Sequence, residues 1–293
     1  KPLEVQGGRA VLPGHDPARV HLIAAKLSFA REVEVRQGFA LEGGVLKELT
    51  PVPVRLGWGS KTPPLESLQG KLTARGEPLR VVAAERGPGD LAVVRLPDRK
   101  EIRIYVEPRL TEPDDMVFSL LGLGEGYWTR LVSPRPQEQM AGEIPAPRLG
   151  LFNLLAAVEA DDERGVLFHL TDWDMAEEDA LKEIRVADAV AVAGLQAAAL
   201  GHRRAVLLVL SGPVEDRSRL DPAAVRSYLD SLGVPLYVWN LREREPHPAW
   251  EGALGKGLKA DLDQQRILWV EGRHLPREVR LSPDVTEFKL LAK

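Results

Sequence analysis

The chain has 293 residues, of which 44% are hydrophobic and 28% charged, with a formal net charge of -4. That is the balance of a soluble globular protein with ample core material, long for one domain and short for three. A pI near 6.0 offers no general attraction to nucleic acid or anionic lipid, and no stretch reaches the roughly 20 apolar residues of a membrane-spanning helix.

The first hundred residues lack a helical period. Short apolar runs, "VHLIAAKLSF" (20–29), "EVEVRQGFAL" (32–41), "LRVVAA" (79–84), "LAVVRL" (91–96) and "EIRIYVE" (101–107), are punctuated by Gly43-Gly44, Pro63-Pro64 and Gly87-Pro88-Gly89. Strands at this spacing predict an antiparallel sandwich or barrel. A Pro-rich, irregular zone follows from Pro108 to Pro147, in which "VFSLLGLGEGYWTRLVSP" has room for two strands around a Gly-rich turn.

From about residue 148 helix and strand alternate. "LGLFNLLAAVEA" (149–160) reads as a helix and "GVLFHLTD" (165–172) as a strand. Asp174 and Glu177 form a capping-box-like start for "MAEEDALKEI", which continues or restarts through "RVADAVAVAGLQAAAL". The unbroken apolar run Ala205 to Leu210, stopped by Ser211, Gly212 and Pro213, reads as a buried parallel strand. Asp221 then caps a helix with Pro222 in its first turn, an apolar stripe of Val225, Tyr228, Leu229 and Leu232, and Gly233 at its end. "VPLYVWNL" (234–241) is the next strand, Trp250, Ala253, Leu254, Gly257 and Leu258 pattern a helix, and "RILWVEG" (266–272) is a last strand before a Pro-containing tail. Repeated strand–helix units predict right-handed crossovers and an α/β fold. The expected organisation is a β-rich accessory domain over residues 1–110, sandwich or barrel, and a doubly wound, mainly parallel α/β domain with a C-terminal tail over 111–293.

Few motifs carry chemistry. The absence of cysteine excludes disulfides, thiolate metal sites and cysteine nucleophiles. Gly122, Gly124 and Gly126 have the wrong spacing for a dinucleotide loop, because Tyr127 stands where the third glycine belongs. Ser211 ends a strand as a hydrolase nucleophile does, but it lacks the flanking glycines of a nucleophile elbow. The six histidines, His15, His21, His169, His202, His247 and His274, fall into no tight ligand spacing. Asp172 and Asp174 could hold Mg²⁺ or Ca²⁺ as paired carboxylates after a strand, but Asp174 already serves as a helix cap. No catalytic, cofactor-binding or metal residue is therefore assigned, and no cofactor is expected. Asparagine occurs only at Asn153 and Asn240, and the 23 prolines and excess of Arg over Lys suit a heat-adapted protein or a GC-rich genome equally.

The stretch "ADAVAVAGLQAAALGHRRAVLLVLSGPVEDRSRLDPAAVRSYLDSLGVPLYVWNL" resembles the second half of a von Willebrand factor type A domain, in which a helix leads to a buried strand ending in a Ser-Asp-Gly or Thr-Asp-Gly turn, then a helix, then a strand opening with Val-Pro. The match is good over about 187–241 and extends in outline from about 110 to 272. Family members that bind through a metal use D-x-S-x-S after the first strand, with a Thr and an Asp from later loops. Here Ser211 is followed by Gly212, no D-x-S-x-S occurs, and "TRLVSP" (129–134), taken as the first strand, runs into Arg135 and Pro136. The resemblance therefore implies the fold with a degenerate metal-dependent adhesion site.

The expected function is a non-catalytic protein-binding, adhesion or assembly module with a protein partner or self-assembly, without nucleic acid. The rivals are a hydrolase with a site near Asp172, Ser211 and Asn240, and a polymer-forming structural subunit. The chain opens at Lys1 rather than Met, and the resemblance implies use outside cells, so an exported, extracytoplasmic protein is expected.

Overall fold

The computed structural model describes residues 5–6, 9–10, 20–28, 32–42, 45–57, 59–96, 120, 122–124, 126–137, 151–154, 158–159, 184–199, 201–210, 215–241, 248–251 and 257–293. A short antiparallel pair, β1 (Val5–Gln6) and β2 (Arg9–Ala10), precedes the long strands β3 (Val20–Ser28), β4 (Glu32–Glu42) and β5 (Val45–Leu56). Helix α1 (Leu65–Leu68) and strands β6 (Leu72–Ala74), β7 (Glu77–Pro78) and β8 (Val81–Glu85) lead to β9 (Gly89–Arg95). Strands β10 (Tyr127–Gln137), β11 (Leu151–Leu154) and β12 (Val158–Glu159) come next, then α2 (Val186–Ala199), β13 (Arg203–Leu210), α3 (Pro222–Leu232) and β14 (Leu236–Asn240). A 3₁₀ turn (Pro248–Trp250), α4 (Leu258–Gln264), β15 (Gln265–Glu271), a second 3₁₀ turn (Pro276–Glu278), β16 (Val279–Leu281) and β17 (Phe288–Leu290) complete it.

One sheet has the order β11-β10-β9-β13-β14, with β12 also on β10. Its four neighbours β10, β9, β13 and β14 are parallel, while β11 and β12 run antiparallel to β10. Alternate residues face opposite layers. Ala92, Val94, Val206 and Leu208 pack with Val190, Ala193 and Leu229 of α2 and α3, whereas Leu91, Val93, Leu207 and Val209 pack with Leu258 and Leu262 of α4. Both faces are covered by helices, as a doubly wound α/β sheet requires. The first strand of this sheet is β9, not the "TRLVSP" segment, which lies in its neighbour β10. The continuous burial of β9 from Gly89 to Arg95 is what coverage of both faces demands, and it distinguishes β9 from β8, which is only partly buried from Ala83 to Glu85.

The second sheet is antiparallel where it is built from β3, β4, β5, β15 and β8, with β17 on β5, and a small sheet β16-β6-β7 lies alongside in sequence. The predicted β-rich part therefore exists, but the chain's end helps to make it. The run "RILWVEG" does not extend the parallel sheet; β15 pairs antiparallel with β5 from Gln265↔Arg55 to Glu271↔Leu49 and with β8 on its other side. A break near residue 110 does not separate the two sheets, since β9 belongs to the later one and β15 to the earlier one. "LGLFNLLAAVEA" is also not a helix: Leu151–Leu154 and Val158–Glu159 are strands on β10, where pairing with an edge decides over an apolar density that fits either state. The helix patterned from Trp250 to Leu258 is divided, with a 3₁₀ turn at its start and α4 beginning at Leu258. "EIRIYVE", "GVLFHLTD" and "MAEEDALKEI" lie outside the described residues.

The antiparallel sheet lies against the amino-terminal edge of the parallel one. The turn residue Gly201, just before β13, has no room for a side chain against Trp269 and Pro51, and Gly233, just before β14, abuts Pro53 and Ala292. Where β13 begins, Arg204 is fully buried; its guanidinium donates to the carbonyls of Ala198 (2.8 Å), Leu232 (3.3 Å) and Gly233 (3.3 Å), the C-terminal ends of α2 and α3. Its backbone N–H donates to Gln265 Oε1 at 2.7 Å, which ties β13 to β15. The antiparallel sheet thus packs against the amino edge at Gly201, Arg204 and Gly233, and in open α/β sheets ligands approach the carboxyl edge.

Candidate functional site

The strand order places a topological switch between β9 and β13, where the chain turns outward in opposite directions; in open α/β sheets ligands bind outside the carboxyl ends there. The helices that follow from this edge define the site. Leading into α2, Arg185 N–H donates to Pro134 O of β10 at 2.7 Å, and Ile184 O accepts from Arg217 N–H at 2.8 Å. The first turn of α2 has no internal acceptors for its N–H groups. The 216–218 segment supplies them: Asp216 accepts from the amides of Val186 (2.9 Å) and Ala187 (3.3 Å), and Ser218 Oγ accepts from that of Asp188 (3.1 Å). Asp188 returns the contact, its Oδ1 accepting from the amides of Arg219 (3.1 Å) and Leu220 (3.0 Å). One residue on, Asp221 accepts from Ala224 N–H at 2.8 Å and starts α3, whose end is the left-handed Gly233. The predicted cap, first-turn proline and terminal glycine of this helix are all present.

This reciprocal lacing holds residues 219 and 220 as one wall of a groove between α2 and α3 of about 680 Å³. Gly194 brings the helices close, for a Cβ there would stand 2.8 Å from Leu229. Small side chains at Ala191 and Ala224 leave space beside that contact, with Val192, Leu195 and Val225 completing an apolar bed. Leu195, Leu220 and Tyr228 are 52%, 48% and 37% exposed and all line it; the fourth exposed large hydrophobic residue among those described, Leu275, lies elsewhere. Tyr228 was expected in the buried stripe of its helix and instead forms part of this open surface. Arg185, Asp188 and Arg219 are the polar lining. Replacing Asp188 by alanine is expected to cost about 2 kcal/mol in urea unfolding and to speed amide hydrogen exchange at Arg219 and Leu220, because two partly buried N–H groups lose their acceptor.

A second polar cluster sits at the opposite, amino edge. The Tyr127 hydroxyl donates to Asp263, which also receives Arg86 and Lys259 at 2.6 Å each, while the Arg203 guanidinium lies 5.1 Å from the Tyr127 ring centre. Burial alone would raise the Asp263 carboxyl, but hydrogen bonds from Lys259, Tyr127 and Arg86 outweigh it and hold the group below its ordinary range. Burial, followed by the hydrogen bond to Asp263, raises Tyr127, so it remains a neutral donor. These groups join β10 and β13 to α4 and leave Asp263 saturated; the arrangement is a structural clasp.

Of the residues weighed on sequence for chemistry, Asp172, Asp174 and Ser211 lie outside the described residues. Asn240 ends β14 at the carboxyl edge. Gly124 and Gly126 form a turn into β10, with Tyr127 N–H donating to Gly124 O at 3.1 Å and Gly126 at φ 83°. His21 is on β3, His202 is buried before β13 and His274 follows β15; His15, His169 and His247 lie outside the described residues. Among the described residues no three His, Asp or Glu side chains form a metal-sized group. Sequence reasoning missed the groove. The available signal was Leu195 and Leu220, apolar residues with no place in the inward-facing stripes of their segments.

No family model matches the chain, and no curated protein matches it significantly. Among solved structures it is similar to proximal thread matrix protein 1 from the mussel byssus. The form with a zinc-occupied MIDAS motif aligns with TM-score 0.38 and 10% identity over 66% of this chain and 50% of that one. A second crystal form aligns with TM-score 0.31 and 12% identity over 54% and 37%. The chain spans about half or less of the length of these structures.

Proposed function

We propose that the chain is a non-catalytic binding or assembly module that docks a protein partner in the groove between α2 and α3. The convergence of Leu195, Leu220 and Tyr228 on one concave surface carries this reading, since monomeric proteins rarely gather exposed apolar side chains without a contact to make. The net charge of -4 favours protein over nucleic acid as the partner class. In this reading docking needs no metal, as the missing D-x-S-x-S implies, and the protein acts outside the cytoplasm, as the resemblance to type A domains implies. The hydrolase alternative gains nothing from Asn240 alone.

The test places a photo-crosslinking amino acid at Tyr228 and irradiates the protein in extract from its own source, with and without excess EDTA. A discrete adduct that is unchanged by EDTA and lost when Leu195→Glu is added is the expected result. An adduct that requires metal, an adduct indifferent to Leu195→Glu, or no adduct would each overturn the reading.

A further inference from the structure

The groove has a charged end as well as an apolar bed. Arg185 stands just before α2 and Arg219 just before α3, both at the carboxyl edge of the sheet. The Nε of Arg185 is shielded from solvent and has no hydrogen-bond acceptor among the described residues. Arg219 is exposed, and neither guanidinium forms an ion pair among the described residues. Asp188, the one carboxylate among the described lining residues, is already committed to the backbone amides of Arg219 and Leu220. Among the described lining residues, two cations therefore face the groove against a single carboxylate whose acceptors are in use.

A shielded N–H without an acceptor is a costly arrangement, and a carboxylate brought by a ligand would satisfy it with a charge-assisted hydrogen bond. From Arg185 to Leu195 the helix rises roughly 15 Å, the span of four or five extended residues. Building on the groove reading, we infer that the partner segment is an acidic peptide, its aliphatic or aromatic side chain on the Leu195, Leu220 and Tyr228 bed and its carboxylate against Arg185 and Arg219. The apolar bed supplies area, while the two arginines select the sign of the neighbouring charge and set the direction in which the segment lies.

The probes are two fluorescein-labelled dodecapeptides, one composed of leucine and glutamate and the other with lysine in place of every glutamate, titrated by anisotropy at low and high salt. The acidic peptide should bind at least about tenfold tighter than the basic one. The preference should weaken with salt. The double variant Arg185→Gln/Arg219→Gln should reduce acidic-peptide binding about tenfold and erase the preference. Tyr228→Ala should weaken whatever binds the apolar bed. Circular dichroism melting confirms that each variant is folded. If Tyr228→Ala weakens binding but the arginine variant does not, the groove stands and the acidic partner falls. If both peptides bind equally, or neither binds, the inference is overturned, and if binding ignores both variants the groove reading falls with it.

Discussion

Arg204→Met is expected to lower stability by about 3–5 kcal/mol, and the melting temperature by roughly 10 °C. The side chain is 1% exposed, and burial pushes its guanidinium down to about 10, still charged at neutral pH with the attraction of Asp90 opposing that fall. Its hydrogen bonds to Ala198, Leu232 and Gly233 satisfy carbonyls at the ends of two helices, where a cation also opposes the negative end of each helix dipole. Methionine fills the volume but leaves those carbonyls without donors and Asp90 with Arg130 as its remaining charged partner. Arg204→Lys keeps the charge and loses the planar fork, so most of the loss should remain. Urea unfolding with matched m-values measures it; a change under about 1 kcal/mol would mean that the helix ends do not depend on this residue.

Gly233→Ala is expected to cost about 2–4 kcal/mol, by two separable effects. At φ 65° a Cβ is strained in the left-handed region, and here it would also stand 2.9 Å from the backbone N of Ala292 and from Pro53. Gly76→Ala isolates the first effect, since Gly76 has φ 88° and open space around it. That variant should lose only about 1 kcal/mol. Equal losses in thermal or urea unfolding would show that the packing of the chain's last residues against α3 contributes nothing.

The segment from α2 through β14 was legible because its signals are local. Asp221-Pro222 and Gly233 define a helix by capping chemistry, and Ala205 to Leu210 can only be buried on two faces. Sheet membership was not legible, because it is a tertiary choice. Leu91–Leu96 and Ile267–Val270 have the same apolar character, yet one is parallel beside β13 and the other antiparallel beside β5. What separates them is pairing with strands far away in sequence, which periodicity does not encode. The groove was hidden for a related reason. Tyr228 fits the inward stripe of α3 by spacing, and only the position of α2 shows that it stands at the rim.

The pairing of β15 with β8 sets Ile267 opposite Glu85, so the chain leaves the antiparallel sheet after Glu85 and rejoins it at Gln265 on the adjacent strand. All of the parallel sheet, with α2, α3 and the groove, is thus a cassette hung from one gap between neighbouring strands roughly 5 Å apart. Such an arrangement lets the inserted unit be exchanged, shortened or excised, with a tight turn closing the gap, while the registry of the host sheet is preserved. Host and insert are fastened where Arg204 and Gln265 exchange hydrogen bonds, where Arg55 of β5 pairs with Asp261 of α4, and where Gly201 and Gly233 abut Trp269 and Pro53.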